Sequence, residues 1–309
     1  MTIRNSAFLL MLATLCPACA VDDEETEFRT TAPGTGGGIG TGIVFNTNMI
    51  DDESVSEFLQ PMGEEHQGHS LEAVELSNGR AVEEFVIKDG DIVAYDERGQ
   101  KYQGAELVGS VWSIGGVTTW MSALIVAERV LIDGWPHYRF QRGSLWGSTC
   151  HDDGSTVYAR MLPGFTLDEA TGDVAPLADN TYVACTNGAT GKAARWGYYD
   201  LAVALGDFTP FEVAIRMIRA DYCYDGVSYT HPGVEIVVED AWNGGSGEGA
   251  IEAVWGADGL LCRGSGRTAA VPAKCGDQPA LPTCASKTTV ASYPGALFLT
   301  RLPAPVELH

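Results

Sequence analysis

Basic residues are scarce in this sequence. Its 309 residues include 19 lysines and arginines against 41 aspartates and glutamates, which gives a formal net charge of −22 at pH 7. Because an acidic protein does not attract phosphate backbones or acidic lipids, nucleic acid and anionic membrane surfaces are not expected as partners. The acidic residues are distributed over many turns, which favours a solvated, self-repelling surface.

Long apolar runs are also missing. After residue 20 the sequence contains no stretch of about 18 apolar residues, so we expect no transmembrane helix. Residues 1–20 combine Arg4 and the short apolar run 7–15 with small residues at the end, which is typical of an export signal. We therefore predict a signal peptide over residues 1–20 and an exported protein.

Two routes of processing stay open at the end of this signal. Ala18-Cys19-Ala20 has the small residues that favour cleavage after Ala20, which would give a secreted protein. The segment 15–19 also resembles a loosely written lipobox, with Cys19 as the lipidated residue, although Cys16 stands where Leu is usual. The predicted location is therefore either secreted or that of an outer-membrane or periplasmic lipoprotein.

Motifs for nucleotide binding, serine hydrolysis and metal binding are incomplete. The glycine run 34–40 follows no predicted strand and leads to no Gly-Lys-Ser/Thr. The segment 244–247, GGSG, lacks the second glycine position of a nucleophile elbow, because Glu248 stands there. His66 and His69 have a spacing that suits metal on a helix, but they lie in a linker-like segment with Gly68 and favour a solvated chain.

Eight cysteines become six once Cys16 and Cys19 are set aside. These six are Cys150, Cys185, Cys223, Cys262, Cys275 and Cys284. An even number in an exported protein predicts three disulfides, for which about 15 connectivities exist. We favour the sequential pairing of 150 with 185, 223 with 262, and 275 with 284. No CxxC spacing occurs after residue 20, so a metal site formed by these thiols is not expected.

The N-terminal part of the chain divides into a tether and a β-rich region. Residues 21–42 are acidic and then rich in Thr and Gly, which predicts a flexible tether. From Ile43, short runs of alternating polar and apolar residues are separated by turn dipeptides ending at Gly79, Gly90, Gly99 and Gly134. These spacings predict β-hairpins over 43–142, in a sheet with one solvated face.

The strongest helix signal lies in 208–223, FTPFEVAIRMIRADYC. Thr209 as N-cap, Pro210 at the first helical position and Glu212 two residues later predict a capped helix start. The apolar positions recur at helical spacing, at Phe211, Ala214, Ile215 and Ile218. This stripe is expected to face a core, with Glu212, Arg216 and Arg219 directed away from it.

The rest of the C-terminal region has a β pattern. Two strands are predicted around Asn187-Gly188, and further strands within 151–161, 228–242, 250–264 and 296–302. Ala257-Asp258-Gly259 is expected to form a hairpin turn, and Asp225-Gly226 another. The predicted fold class is mainly β with one principal α-helix: a disulfide-stapled β-rich C-terminal domain after a hairpin-rich N-terminal region.

Four residues at the end of the helix segment carry a resemblance. Ala220-Asp221-Tyr222-Cys223, within RMIRADYC, resembles the signature of the ADYC domain family, a set of bacterial exported or lipid-anchored proteins. The segments 184–198, 225–236 and 252–262 are also similar to that family. The resemblance implies an ADYC-like domain over 143–303, followed by a tail over 304–309, and it brings no molecular function with it.

The densest polar cluster lies after the helix and leaves several hypotheses open. Asp221, Asp225, His231 and Asp240 are its candidate functional residues. The carboxylates could ligate Ca²⁺, which accepts irregular oxygen sets, or serve an extracytoplasmic hydrolase that uses the Asp221–Asp240 segment. A Cys223 thiolate with His231 is disfavoured, because an oxidised sulfur is no nucleophile. Turn and capping roles are the ordinary roles of aspartate in such a segment, so no cofactor and no catalytic residue is assigned.

The seven tryptophans could form a surface that binds a glycan, although tryptophan on strands more often anchors a core. They are Trp112, Trp120, Trp135, Trp146, Trp196, Trp242 and Trp255. The leading expectation is an exported binding or structural module at the cell envelope or outside the cell, with a glycan or protein ligand. The alternative is the hydrolase.

Overall fold

The computed structural model describes residues 43–45, 70–115, 123–142, 150, 157–244, 247–268, 274–286 and 289–303. The predicted signal peptide with Cys19, the tether over 21–42, the histidines at 66 and 69, and the tail over 304–309 lie outside the described residues. No helix in the described ranges is long and apolar enough to cross a membrane.

The described chain is mainly β, as predicted. The strands are β1 (Ile43–Phe45), β2 (Ser70–Glu75), β3 (Ala81–Lys88), β4 (Asp91–Asp96), β5 (Lys101–Gln103), β6 (Val111–Gly115), β7 (Ala123–Ile132), β8 (Trp135–Arg142), β9 (Ala159–Leu167), β10 (Val174–Cys185), β11 (Glu235–Asp240), β12 (Ala250–Gly256), β13 (Gly259–Arg263) and β14 (Ala296–Leu302). The α-helices are α1 (Ala189–Arg195), α2 (Tyr198–Leu205) and α3 (Thr209–Arg219).

Nine strands form one antiparallel sheet in the order β10-β9-β8-β7-β6-β2-β3-β4-β5. The four predicted hairpin turns each join a pair of neighbouring strands, as between β7 and β8, where Ile132 pairs with Trp135 across Asp133-Gly134. The hairpin prediction for this region is therefore confirmed. The sheet takes strands from both sides of residue 142, because β8 pairs with β9 at Tyr138 and Ala159.

A second antiparallel sheet has the order β1-β11-β14-β12-β13. The hairpin between β12 and β13 turns at 257–258, as predicted. The strand predicted after Asp225-Gly226 begins only at Glu235, and it pairs with β1 and β14 instead of forming a hairpin at that turn. The last of the described strands, β14, lies in the middle of this sheet.

The three helices share one core with strands of both sheets. Phe165 of the large sheet packs against Tyr182, Tyr199 and Phe211, with ring centroids 5.4–5.9 Å apart. The predicted apolar stripe of α3 is fully buried in this core, together with residues of β11, β12 and β14. The helices therefore join the two sheets through a common apolar cluster.

Of the two strands predicted around Asn187-Gly188, the first is present as β10, and helices α1 and α2 replace the second. Only one strand, β10, precedes this turn, and the helix α1 begins at Ala189. Gly191 allows this packing, because a Cβ at that position would overlap the carbonyl oxygen of Cys185. The close approach of α1 to the end of β10 is a tertiary feature, so strand propensity in the flanking residues did not reveal it.

The start of α3 is capped differently from the prediction. Thr209 is the first helical residue, and the preceding Phe208 occupies the cap position without a side-chain hydrogen bond. The backbone N–H of Thr209 donates to Asp207 Oδ1 at 2.9 Å. Glu212 does not close a capping box, since its carboxylate accepts from the backbone of Val174 at 3.1 Å.

Asp207→Ala is therefore expected to lower the free energy of unfolding by about 1 kcal/mol, the usual cost of losing a side-chain acceptor at a helix start. Asp207→Asn keeps the acceptor oxygen and is the matched control, with an expected loss of a few tenths of a kcal/mol. Urea denaturation of the oxidised protein measures both. Equal losses in the two variants would contradict this role of Asp207.

Arg216 and Arg219 do not face away from the core, in contrast to the prediction. The Arg216 side chain is 2% exposed and pairs with Asp173, with Glu212 at 3.1 Å and with Asp221 at 3.1 Å. The turn between β9 and β10 covers this face of α3, because Thr171 O accepts from Arg216 at 2.9 Å. Periodicity identifies which side of a helix is polar, but not whether a distant loop buries it.

All six predicted cysteines are disulfide-bonded, but the favoured pairing is right for one bond only. Cys150 pairs with Cys185 as predicted. The other two bonds join Cys223 to Cys275 and Cys262 to Cys284. The sequential pairing was wrong because sheet topology decides which thiols meet: Cys223 lies just after α3, whereas Cys262 lies on β13 beside the chain at Thr283.

Candidate functional site

The segment Ala220–Cys223 ends helix α3 and sets the direction of the chain beyond it. Ala220 has a left-handed backbone with φ of 54°. Its N–H donates to Met217 O, and the N–H of Asp221 donates to Arg216 O at 2.9 Å. These two bonds form a Schellman motif, which satisfies carbonyl groups that the helix end would otherwise leave unpaired.

Asp221 organises the turn after the helix. Its carboxylate accepts from the backbone N–H groups of Asp225 at 3.1 Å and Gly226 at 3.0 Å, and from Arg216 at 3.1 Å. A Cβ at Gly226 would overlap the carbonyl oxygen of Ala170, so this turn packs directly on the loop between β9 and β10. Asp221 is fully buried, and each of its bonds holds structure in place.

Tyr222 belongs to a buried ionic network under the helix end. Its hydroxyl donates to Glu252 Oε1 at 2.6 Å, and Arg267 Nε donates to the same oxygen at 2.6 Å. Arg267 also donates to Ile218 O at 2.7 Å and to Met217 O at 2.6 Å, so it caps the C-terminus of α3. Burial, together with the charge of Glu252, raises the pKa of Tyr222, and the hydroxyl stays a neutral donor.

Cys223 completes the segment through its bond to Cys275. Each of the four residues of the motif thus has a structural role, as a left-handed helix end, a turn cap, a buried hydrogen-bond donor or a covalent link. None of them has a free nucleophilic or acid–base group directed at an open site.

Of the four predicted polar residues, Asp221 and Asp225 meet only through the backbone N–H of Asp225, and Asp240 and His231 lie apart from them. Asp240 is buried in its own network, where it accepts from Tyr198 at 3.1 Å and from Asn243 at 2.7 Å. Asp225 caps the N–H of Val227, and His231 is exposed, near Pro232 O. The described residues contain no group of three or more His, Cys, Asp or Glu side chains placed to hold a metal ion.

A cavity of about 380 Å³ lies elsewhere, between the β3–β4 and β7–β8 turns, strand β9 and helix α2. Aromatic, apolar and charged side chains all contribute to its walls. The lining residues are Asp89, Gly90, Trp135, Arg160, Met161, Pro163, Tyr199, Asp200, Val203 and Ala204. Val203 is 53% exposed at its rim.

Arg160 is the central charged group of this cavity. It is 3% exposed, and its guanidinium donates to Asp200 at 2.7 Å and to Ala194 O at 3.2 Å. The guanidinium carbon lies 4.1 Å from the ring centre of Trp135 and 5.7 Å from that of Tyr199. These contacts fix the guanidinium between two aromatic rings and a carboxylate.

A comparison with protein-family models identifies the family of this chain. The model of the ADYC domain matches residues 104–269, more than half of the sequence. The chain belongs to the ADYC domain family. No curated protein and no solved structure matches it.

The matched part of the ADYC protein includes both regions described above. It contains the ADYC segment itself and every cavity residue except Asp89 and Gly90, which reach the cavity from the β3–β4 turn. Position 104 precedes β6, so the match begins well inside the nine-stranded sheet.

Sequence reasoning named Trp135 among seven tryptophans but missed Arg160, Tyr199 and Asp200. One signal was available for Arg160. It stands within a run of strand residues, 157–162, where a buried charge is unusual and needs a partner. Asp200, 40 positions further along the chain, is that partner. Only the fold brings the two together.

His137, on strand β8 close to this cavity, gives the domain an acid-sensitive point. The ring is 3% exposed, and its Nδ1 lies 2.9 Å from Trp135 O. Burial is the main cause that lowers the pKa of His137 from 6.5 to about 4, against the hydrogen bond to Trp135 O; the charges of Arg160 and Arg195 lower the pKa further, and Asp133 opposes them. The folded protein therefore holds this imidazole neutral.

The free energy of unfolding is expected to fall as the pH drops from 6.5 towards 4. In this window His137 binds a proton in the unfolded chain but not in the folded protein. Its contribution to the free energy of unfolding is therefore complete above pH 6.5 and declines below it. A fall of the pKa from 6.5 to about 4 corresponds to about 3 kcal/mol.

His137→Gln should flatten that part of the pH profile, measured by urea denaturation at a series of pH values. His231→Gln, which changes an exposed histidine, is the matched control and should leave the profile unchanged. A His137→Gln profile as steep as that of the wild type would refute the assignment.

Proposed function

We propose that this ADYC protein is exported and acts as a binding module at the cell envelope or outside the cell, with the cavity around Arg160 as its ligand site. The observation that carries the proposal is the cavity itself: aromatic rings and a pair formed by buried Arg160 and partly exposed Asp200 line a volume of about 380 Å³. A mostly apolar cavity with few fixed polar groups is the common form of a ligand site. The buried polar groups around the ADYC segment, by contrast, are used in structural bonds.

Three disulfides indicate an oxidising, extracytoplasmic location for the folded chain. The sequence of residues 1–20 supports export, and Cys19 supports a lipid anchor as one of two routes. Expression of the full chain in a bacterial host tests this by palmitate labelling and intact-mass measurement. Label that is lost in Cys19→Ser supports a lipoprotein, and an unlabelled chain that begins at Val21 supports secretion. A cytoplasmic chain that keeps residues 1–20 would contradict export.

Ligand binding to the cavity can be tested without knowing the ligand. A thermal-shift and NMR screen of small molecules on the oxidised mature protein should give hits that Val203→Trp abolishes, because the indole would fill the cavity from its rim. Leu205→Trp is the matched control, since Leu205 lies on the same helix, is 53% exposed like Val203 and does not line the cavity. Hits that survive Val203→Trp would place binding elsewhere and overturn the proposed site.

The hydrolase and Ca²⁺ hypotheses gain no support from the geometry. Asp221 and Asp240 accept hydrogen bonds in separate networks that share no residue. The hypotheses stay predictions, and a calcium titration followed by calorimetry is the direct measurement for the metal.

A further inference from the structure

We propose that the cavity around Arg160 binds a neutral saccharide unit. This inference rests on the proposed function, since it names the ligand of the same site. Four properties of the walls carry it: their charge, the contact of Arg160 with the aromatic rings, the free hydrogen-bond acceptors and the apolar surface.

The charge of the cavity disfavours an anionic ligand. Its one cation, Arg160, is already paired with Asp200 at 2.7 Å, and Asp89 adds a second carboxylate at the rim. The whole chain carries a formal charge of −22, which repels anions at long range as well. A phosphate or carboxylate ligand would meet more negative than positive charge here.

The aromatic rings disfavour a cationic ligand. Two rings beside carboxylates resemble a site for an organic cation. In this cavity, however, the place between Trp135 and Tyr199 is already taken by the guanidinium of Arg160, 4.1 Å and 5.7 Å from the two ring centres. A second cation placed against these rings would be repelled by the first. Because anionic and cationic ligands are both disfavoured, we expect a neutral ligand.

The polar groups of the cavity offer hydrogen-bond acceptors. The Asp200 side chain is 23% exposed, and its two oxygens accept from Arg160 at 2.7 Å and 3.4 Å, which leaves further lone pairs for a donor. A hydroxyl group donates a hydrogen bond without carrying a charge, so a ligand with several hydroxyls can bond to Asp200 and Asp89 together.

The apolar walls suit the C–H faces of the same ligand. Met161, Pro163 and the partly exposed Val203 line the cavity beside Trp135. The stack on Arg160 holds the indole in one orientation, so little side-chain entropy is lost when a ligand packs against it. A sugar ring is rigid and has polar edges and apolar faces, so it matches both the polar groups and the apolar walls of this cavity.

The test is a binding panel on the oxidised mature protein, with neutral mono-, di- and oligosaccharides, organic amines and sugar phosphates, followed by NMR and tryptophan fluorescence. We expect a neutral saccharide as the tightest ligand, with a Kd that rises about tenfold or more in Trp135→Leu, because a central tryptophan is a typical hot spot. Trp242→Leu is the matched control: Trp242 is also half-buried, but it packs on Phe298 away from the cavity, and its loss should leave the Kd within about twofold.

Val203→Trp, compared with Leu205→Trp, keeps the test valid if Trp135→Leu fails to fold. If amines or sugar phosphates bind most tightly and Val203→Trp abolishes their binding, the saccharide assignment is wrong but the location of the site is supported. Saccharide binding that is unchanged in both cavity variants would overturn the site itself. A panel in which no saccharide binds the folded protein overturns the inference.

Discussion

Arg267→Met is expected to lower the free energy of unfolding by about 3–5 kcal/mol, the usual cost of leaving one buried charge without its partner. Arg267 and Glu252 both have side chains that are 0% exposed, and their closest atoms are 2.6 Å apart. The change also removes the donors to Met217 O and Ile218 O, so the end of α3 loses its cap. Urea denaturation of the oxidised protein measures the loss.

Two variants distinguish the effect of leaving a charge buried without its partner from the effect of losing any arginine. Arg98→Met removes an exposed arginine that lies 3.8 Å from Glu97, and it should cost well below 1 kcal/mol. Adding Glu252→Gln to Arg267→Met should recover part of the stability, because no unpaired charge then remains buried. A loss below about 1 kcal/mol in Arg267→Met would contradict the network as described.

Removal of the Cys223–Cys275 disulfide by double replacement with Ser is expected to cost about 4 kcal/mol on the chain-entropy estimate. The bond closes a separation of 52 residues, against 22 for Cys262–Cys284, whose removal should cost about 3 kcal/mol. The longer loop has more freedom in the unfolded chain, so its cross-link removes more entropy. Denaturation of the two double variants gives the order, and a larger loss for Cys262–Cys284 would contradict it.

The pairing itself can be mapped by digestion without reduction. Trypsin leaves Cys223 and Cys262 together on the peptide 220–263, and Cys275 and Cys284 together on 275–287. The observed pairing links these two peptides, whereas the sequential pairing leaves them separate. Further cleavage at Glu235 and Asp277 then distinguishes the observed bonds from the crossed pairing. Unlinked tryptic peptides would show that the fold around Cys223 is wrong.

Local signals in the sequence predict the elements whose structure is decided locally. The Gly-containing turns between alternating strands specify hairpins because the turn and its two strands are neighbours in the chain. The apolar stripe of α3 results from one helical period. The helices α1 and α2 were missed because Ala, Gly and Tyr in 189–205 give no clear period, and their packing on β10 decides their conformation.

The candidate site was less accessible from the sequence than the fold. Asp221 and Asp240 attracted a functional interpretation because they are close in the chain, yet each is held by its own neighbours. Arg160 and Asp200 are 40 residues apart, and Trp135 belongs to another hairpin. Their association depends on the pairing of β8 with β9 and on the position of α2, neither of which leaves a local pattern.

The place of β14 in its sheet has a consequence for how the chain matures. This strand is synthesised after the other described strands, yet it joins β11 to β12 in the middle of the five-stranded sheet. All six paired cysteines precede it in the sequence, so each of them is synthesised before the strand that aligns their surroundings. A disulfide that forms before β14 is in place therefore forms without the finished sheet to align its thiols, and thiol exchange is the reaction that can convert it to the Cys223–Cys275 bond.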